Sequence, residues 1–123
     1  MLRIISNWIK TGKNKRQFKN CFSVTWDDVY VRIESSPPNR LNVVEKFKWL
    51  DIEKICMEAK SKKLSDEIYF FTSDRLEAYI VPVEATGGHK LLEMLIIRKL
   101  YDAQLAKNAI ASVEGLYWWP SSN

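Results

Sequence analysis

The side chains best equipped for chemistry in this sequence are one histidine, two cysteines and a series of carboxylate pairs. His89 follows Gly87-Gly88 at the start of a helical stretch, where a neutral imidazole could act as a general base. No serine or cysteine stands in a nucleophile-elbow context, so no catalytic residue is assigned. Thr86-Gly-Gly-His-Lys90 combines glycines, a helix start and a lysine, the ingredients of a phosphate-cradling loop. The Walker pattern G-x-x-x-x-G-K-S/T needs a different spacing and a hydroxyl after the lysine. A strand-to-helix connection needing positive φ accounts for both glycines without a ligand.

The acids recur in pairs: Asp27/Asp28, Asp51/Glu53, Asp66/Glu67 and Asp74/Glu77. Glycosidase or two-metal chemistry requires carboxylates converging on one cleft, whereas these fall at turns and strand ends, where Asp is favoured anyway. The alternative is an acidic face that meets a basic partner. Cys21 and Cys56 each sit in an apolar alternating stretch and are expected as reduced, buried thiols. Two cysteines and a single histidine make no structural zinc site, and no metal or cofactor is expected. Tyr117-Trp118-Trp119 is the densest aromatic cluster. In a strand, residues 117 and 119 face one way and 118 the other, which leaves a tryptophan available as an interface anchor.

Charge is unevenly distributed. The 123 residues carry a formal +4, but residues 1–20 hold Arg3, Lys10, Lys13, Lys15, Arg16 and Lys19 without one acid, so the remainder is −2. The chain reads as a weakly acidic body behind a basic leader. Leu2, Ile5 and Ile9, with Ile4 and Trp8 beside them, fit one face of a short helix that docks on the domain. The alternative is a membrane-surface segment, with Trp8 at the interface and Lys10, Lys13, Lys15 and Arg16 meeting anionic lipid. RNA recognition would want lysines interleaved with stacking aromatics, which only Phe47-Lys48-Trp49 and the leader offer, so nucleic acid is not the expected partner. No stretch is apolar enough for a transmembrane helix and none has a signal-peptide pattern, so a soluble cytoplasmic protein is expected.

The elements that must position these residues follow from periodicity. Period-two alternation runs through Phe22–Trp26 and Val29–Glu34, with Asp27-Asp28 as the hairpin turn. Leu41–Trp49 alternates with Val43, Glu45, Phe47 and Trp49 on one face and Val44, Lys46 and Lys48 on the other. A bend at 49–52 leads into a strand through Cys56 and Ala59. Segments 67–72 and 78–83 form a second hairpin around Ser73-Asp74-Arg75, and Pro82 places the last strand at an edge or bulge. The period then changes to 3.6. Leu91, Leu92, Leu95 and Ile96 mark one helix, and Asp102 caps a second with Leu105, Ala109, Ile110 and Val113 as its stripe. The expected fold is α+β. It is a single domain over 1–123: a basic segment at 1–17, an antiparallel sheet of five to six strands at 18–84, two helices at 86–114 packed on one face, and a short closing strand at 116–120. Strands followed by helices are also compatible with a pleckstrin-like barrel.

Trp49-Leu-Asp51-Ile52, Asp66-Glu-Ile-Tyr69-Phe70, Ile80-Val-Pro82, Gly87 with Leu91-Leu92, Tyr101-Asp102 and Trp118-Trp119 occur in an order that resembles a family of small, largely uncharacterised bacterial α+β proteins. Such proteins are similar to immunity proteins of interbacterial toxin systems. The resemblance implies a non-enzymatic protein that binds one toxin domain and blocks its active site, and it transfers no catalytic residue. A nuclease active site is basic. Asp51, Glu53, Asp66, Glu67, Asp74 and Glu77 would supply complementary charge, with Trp118 and Trp119 as anchors. The leading expectation is therefore an immunity-type toxin inhibitor; a pleckstrin-like or peripheral membrane module using the leader is the alternative.

Overall fold

A computed structural model describes residues 21–36, 41–60 and 65–120. The leader, with Trp8, Lys10, Lys13, Lys15, Arg16 and the expected N-terminal helix, lies outside these residues.

Strands β1 (Phe22–Trp26), β2 (Tyr30–Ser35) and β3 (Val43–Lys48) form an antiparallel three-stranded sheet in that order. The turn between β1 and β2 is built by Asp27, whose Oδ1 accepts the backbone N–H of Val29 at 2.8 Å and of Tyr30 at 2.7 Å. Those two donors hold the Asp27 carboxyl below its ordinary range. Alternation follows the expected register. Phe22, Val24, Val31, Ile33, Val43 and Phe47 are buried, while Arg32, Glu34, Val44, Lys46 and Lys48 face outward.

Trp49–Asp51 is a single 3-10 turn. Buried Trp49 pins it: its backbone N–H donates to the Val29 carbonyl at 3.0 Å and its Nε1–H to the Asp27 carbonyl at 2.8 Å. The turn carries the chain from the first sheet into a second one, ordered β6-β5-β4-β7. Its strands are β4 (Ile52–Ala59), β5 (Glu67–Thr72), β6 (Tyr79–Pro82) and β7 (Gly115–Trp119), all antiparallel to their neighbours. Pro82 does end an edge strand.

Two helices, α1 (Gly88–Ile97) and α2 (Ala103–Ala111), lie between β6 and β7. The expected single sheet is corrected: the described residues form seven strands in two sheets. The expected closing strand after the helices is present as β7 and pairs with β4. α1 meets β1 of the first sheet, while α2 packs on β4 and β7 of the second. Periodicity locates strands but not their partition into sheets. Here three residues of 3-10 turn separate β3 from β4, and that break in the ladder makes two sheets of one run.

Residues of both sheets and both helices share one core, including Val24, Phe47, Ile55, Phe70, Val81, Leu91, Leu95 and Ala106. Asp102 caps α2, accepting the Leu105 N–H at 2.9 Å. Of the expected stripe of α2, Ala109 is buried and Leu105 packs against the core, joined by Ala106; Ile110 is exposed, and Val113 lies beyond the end of the helix. The two glycines before α1 have different reasons. Gly87 has φ of 85°, the left-handed region. At Gly88 a Cβ would sit 2.2 Å from the Val83 carbonyl oxygen, so close approach rather than positive φ demands it.

Candidate functional site

Antiparallel pairing sorts the predicted acids to opposite ends of the four-stranded sheet. Ile52 pairs with Thr72 at one end, and Glu58 pairs with Glu67 at the other.

The first end collects Asp51 and Glu53 with the β5–β6 turn that carries Asp74 and Glu77. A hydrogen bond of 2.9 Å from the Ser73 N–H to the Asp51 carbonyl joins the two turns. Each turn has an exposed leucine, Leu50 at 96% and Leu76 at 99% relative accessibility. Burying either in a partner would be worth roughly 2 kcal/mol.

Arg75 fastens the β5–β6 turn. Its Nη1 donates to Glu45 Oε2 at 3.0 Å, its Nε to the Glu77 carbonyl at 3.0 Å and its Nη2 to the Ala78 carbonyl at 3.4 Å. The guanidinium also lies 3.5 Å from the centroid of the Tyr79 ring. Glu45 is buried on the inner face of the first sheet, so this pair ties the turn of one sheet to the core of the other. Asp74 accepts from the Thr72 hydroxyl and from Tyr79 Oη, the latter at 2.8 Å. The Thr72 bond, then that of Tyr79, holds the Asp74 carboxyl below its ordinary value. Burial and then the Asp74 bond push Tyr79 up to about 12.

Trp118 and Trp119 reach toward the same end, pairing with Cys56 and Ile55. They point to opposite faces, as strand geometry requires. Trp119 and Tyr117 pack against the core, while Trp118 is 37% exposed on the outer face, with its ring 5.3 Å from that of Phe71 and Lys54 Nζ 5.7 Å away.

At the opposite end the carboxylates are consumed internally. Glu67 is buried and paired with Lys60 Nζ at 3.2 Å; Lys60 also reaches Glu58 at 3.5 Å. Tyr69 Oη donates toward Glu58 Oε1 at 2.7 Å and Glu67 Oε1 at 3.1 Å. Burial raises the Glu67 carboxyl despite Lys60, and burial beside these two acids raises the Tyr69 phenol. Asp66 Oδ1 accepts the Lys60 backbone N–H at 2.9 Å. Asp66 and Glu67 thus build the strand junction and stand apart from the other four acids.

His89, on the first turn of α1, is exposed, with Nε2 2.5 Å from Glu84 Oε2. Cys56 is a buried free thiol whose titration burial pushes up, which makes it a poor nucleophile. Sequence reasoning did not single out Leu50, Leu76 or the Arg75–Glu45 pair. A glutamate at a core-facing strand position is the one signal that calls for a cationic partner.

Comparison with protein-family models, with curated proteins and with solved structures finds no match. Among the described residues, no helix is long and apolar enough to cross a membrane.

Proposed function

We infer that the chain is a binding protein that docks a basic protein surface through its acidic, leucine-tipped end. An immunity-type inhibitor would cover the active site of a toxin domain, a nuclease in particular, in this way. The observation that carries the reading is the pair of almost fully exposed leucines, Leu50 and Leu76, on adjoining turns that also bear Asp51, Asp74 and Glu77. Apolar anchors within a charged surround are the anatomy of a protein interface. Carboxylates there complement the cations with which a nuclease holds phosphodiesters, and they steer encounter. The Arg75–Glu45 pair supports the reading further, because a turn held before contact loses less entropy on binding.

The test is co-expression with the protein encoded immediately upstream, assayed for toxicity and for co-purification. The wild-type chain relieves toxicity and co-purifies with it, and Leu76→Asp weakens binding by about tenfold or more. Unaltered toxicity together with failure to bind would overturn the reading.

A further inference from the structure

The outer face of the three-stranded sheet carries a second constellation. Thr25, Arg32 and Lys46 lie side by side across β1, β2 and β3 in one register row. Tyr30 occupies the adjacent row opposite Lys48. With Trp26 and Asp27 from the hairpin turn, Thr25, Tyr30, Arg32 and Lys46 line a half-open depression of about 210 Å³.

Electrostatically this row is unfavourable as it stands. Arg32 and Lys46 are directly opposed on neighbouring antiparallel strands, the arrangement in which like charges repel. Two contacts relieve it in part. Lys46 Nζ sits 4.5 Å from the Tyr30 ring centroid, and Lys48 Nζ lies 6.0 Å from it. Arg32 donates Nε to Glu34 Oε1 at 2.9 Å. That bond uses one corner of the guanidinium and leaves the paired Nη edge, the fork that matches phosphoryl oxygens.

Asp27 is the acid on the wall. Its Oδ1 is committed to the Val29 and Tyr30 amides, so Oδ2 is the oxygen left to accept from a ligand hydroxyl. The Thr25 hydroxyl can donate or accept beside it. The depression therefore offers two cations for a dianion, hydroxyl-compatible groups next to them, and aromatic rings on the flank.

We propose that this depression binds the phosphomonoester of a polyol or sugar. Arg32 and Lys46 clasp the phosphoryl oxygens, and Asp27 and Thr25 bond a neighbouring hydroxyl. Near neutral pH a phosphomonoester carries close to two negative charges on three acceptor oxygens, enough to engage the Arg32 Nη edge and Lys46 together. The same chemistry is offered by a free polyol phosphate and by a lipid whose headgroup is a polyol bearing a phosphomonoester.

The test uses the full chain and amide chemical shifts. Glycerol 3-phosphate is expected to shift Thr25, Asp27, Arg32 and Lys46 saturably, and glycerol alone is expected to leave them in place. Lys46→Glu should weaken binding by about tenfold or more, with Lys46→Met intermediate. Lys107→Glu, the same charge change at an exposed site on α2, should alter it by less than about twofold. Co-sedimentation with phosphatidylcholine vesicles, with and without a phosphatidylinositol whose inositol ring carries a phosphomonoester, separates the sources. Binding that requires the phosphorylated inositol lipid and is lost in Lys46→Glu assigns the lipid, and binding of glycerol 3-phosphate alone assigns the soluble compound. Equal weakening by Lys46→Glu and Lys107→Glu would overturn the proposal, as would the absence of saturable binding in both arms. Binding of a single-stranded RNA with no response to glycerol 3-phosphate would overturn it as well.

Discussion

The two ends of the four-stranded sheet carry the same residue type and use it in opposite ways. At the Glu58–Glu67 end the carboxylates face each other across the strands, buried enough that a lysine and a tyrosine phenol must be drawn in to satisfy them. At the Asp51–Asp74 end Asp51, Asp74 and Glu77 sit on turns, the tips are solvent-exposed, and the Arg75–Glu45 ion pair lies beneath them. An acidic pair in a sequence can mark a recognition surface only where the fold leaves it without an internal counter-charge. The Glu58–Glu67 end is a strand junction; the Asp51–Asp74 end is open to solvent.

The largest effect is expected at Arg75. Arg75→Ala removes the cation from buried Glu45, whose Oε1 already finds no hydrogen-bond partner among the described residues. A loss of about 3 kcal/mol in urea denaturation is expected, because an unpaired carboxylate stays in the core. A change under about 0.5 kcal/mol would show that the exposed end is not held from beneath, and the preorganisation argument would go with it.

The closed end should respond next. Glu67→Ala leaves Lys60 with Glu58 alone and deprives Tyr69 of one of its two acceptors, at an expected cost of about 2 kcal/mol in mildly acidic solution. The pH dependence carries a sign. Burial raises the folded carboxyl above its ordinary 4.5, so the contribution is fully present below that value. It is lost as pH rises through the folded value, and the cost of the substitution should shrink in parallel. A cost that grows with pH would mean that Lys60 outweighs burial.

The smallest effect belongs to Asp74. Asp74→Asn should cost no more than about 0.5 kcal/mol, because water screens a carboxylate this exposed. Its folded carboxyl lies below the ordinary 3.8, so the contribution is present above 3.8 and lost as pH falls through the folded value. Denaturation curves at a series of acidic pH values check this. The two ends are thus distinguished by opposite pH signatures, and a shared sign would remove the distinction.

Much of the local structure was legible. The Asp27 turn, the alternation of Val43, Glu45 and Phe47, the Asp102 cap and the opposed faces of Trp118 and Trp119 all follow from residue type and period. The candidate site was legible only in part. By type and spacing Asp51, Glu53, Asp74 and Glu77 form one set with Asp66 and Glu67, because nothing local tells a turn acid from a strand-end acid that will be covered. Lys46 and Lys48 were placed on one face, but Arg32 joins them only once the β2–β3 register is known. A shift of one residue in that register would have put the face of Ile33 there instead.

Residue order alone determines where most strands and helices fall and, for the strands, which side turns inward, since backbone sterics and the burial of apolar side chains act within a few residues. It also separates a +6 leader from a −2 body. Tertiary structure decided the division into two sheets and the return of β7 to β4 after both helices. It decided too which charges meet: Arg75 with Glu45 thirty residues away, Lys60 with Glu67, and Arg32 against Lys46. Those outcomes depend on long-range pairing. In such contacts the energy of a charge is set by whether its neighbour across the sheet is a counter-ion, a like charge or water.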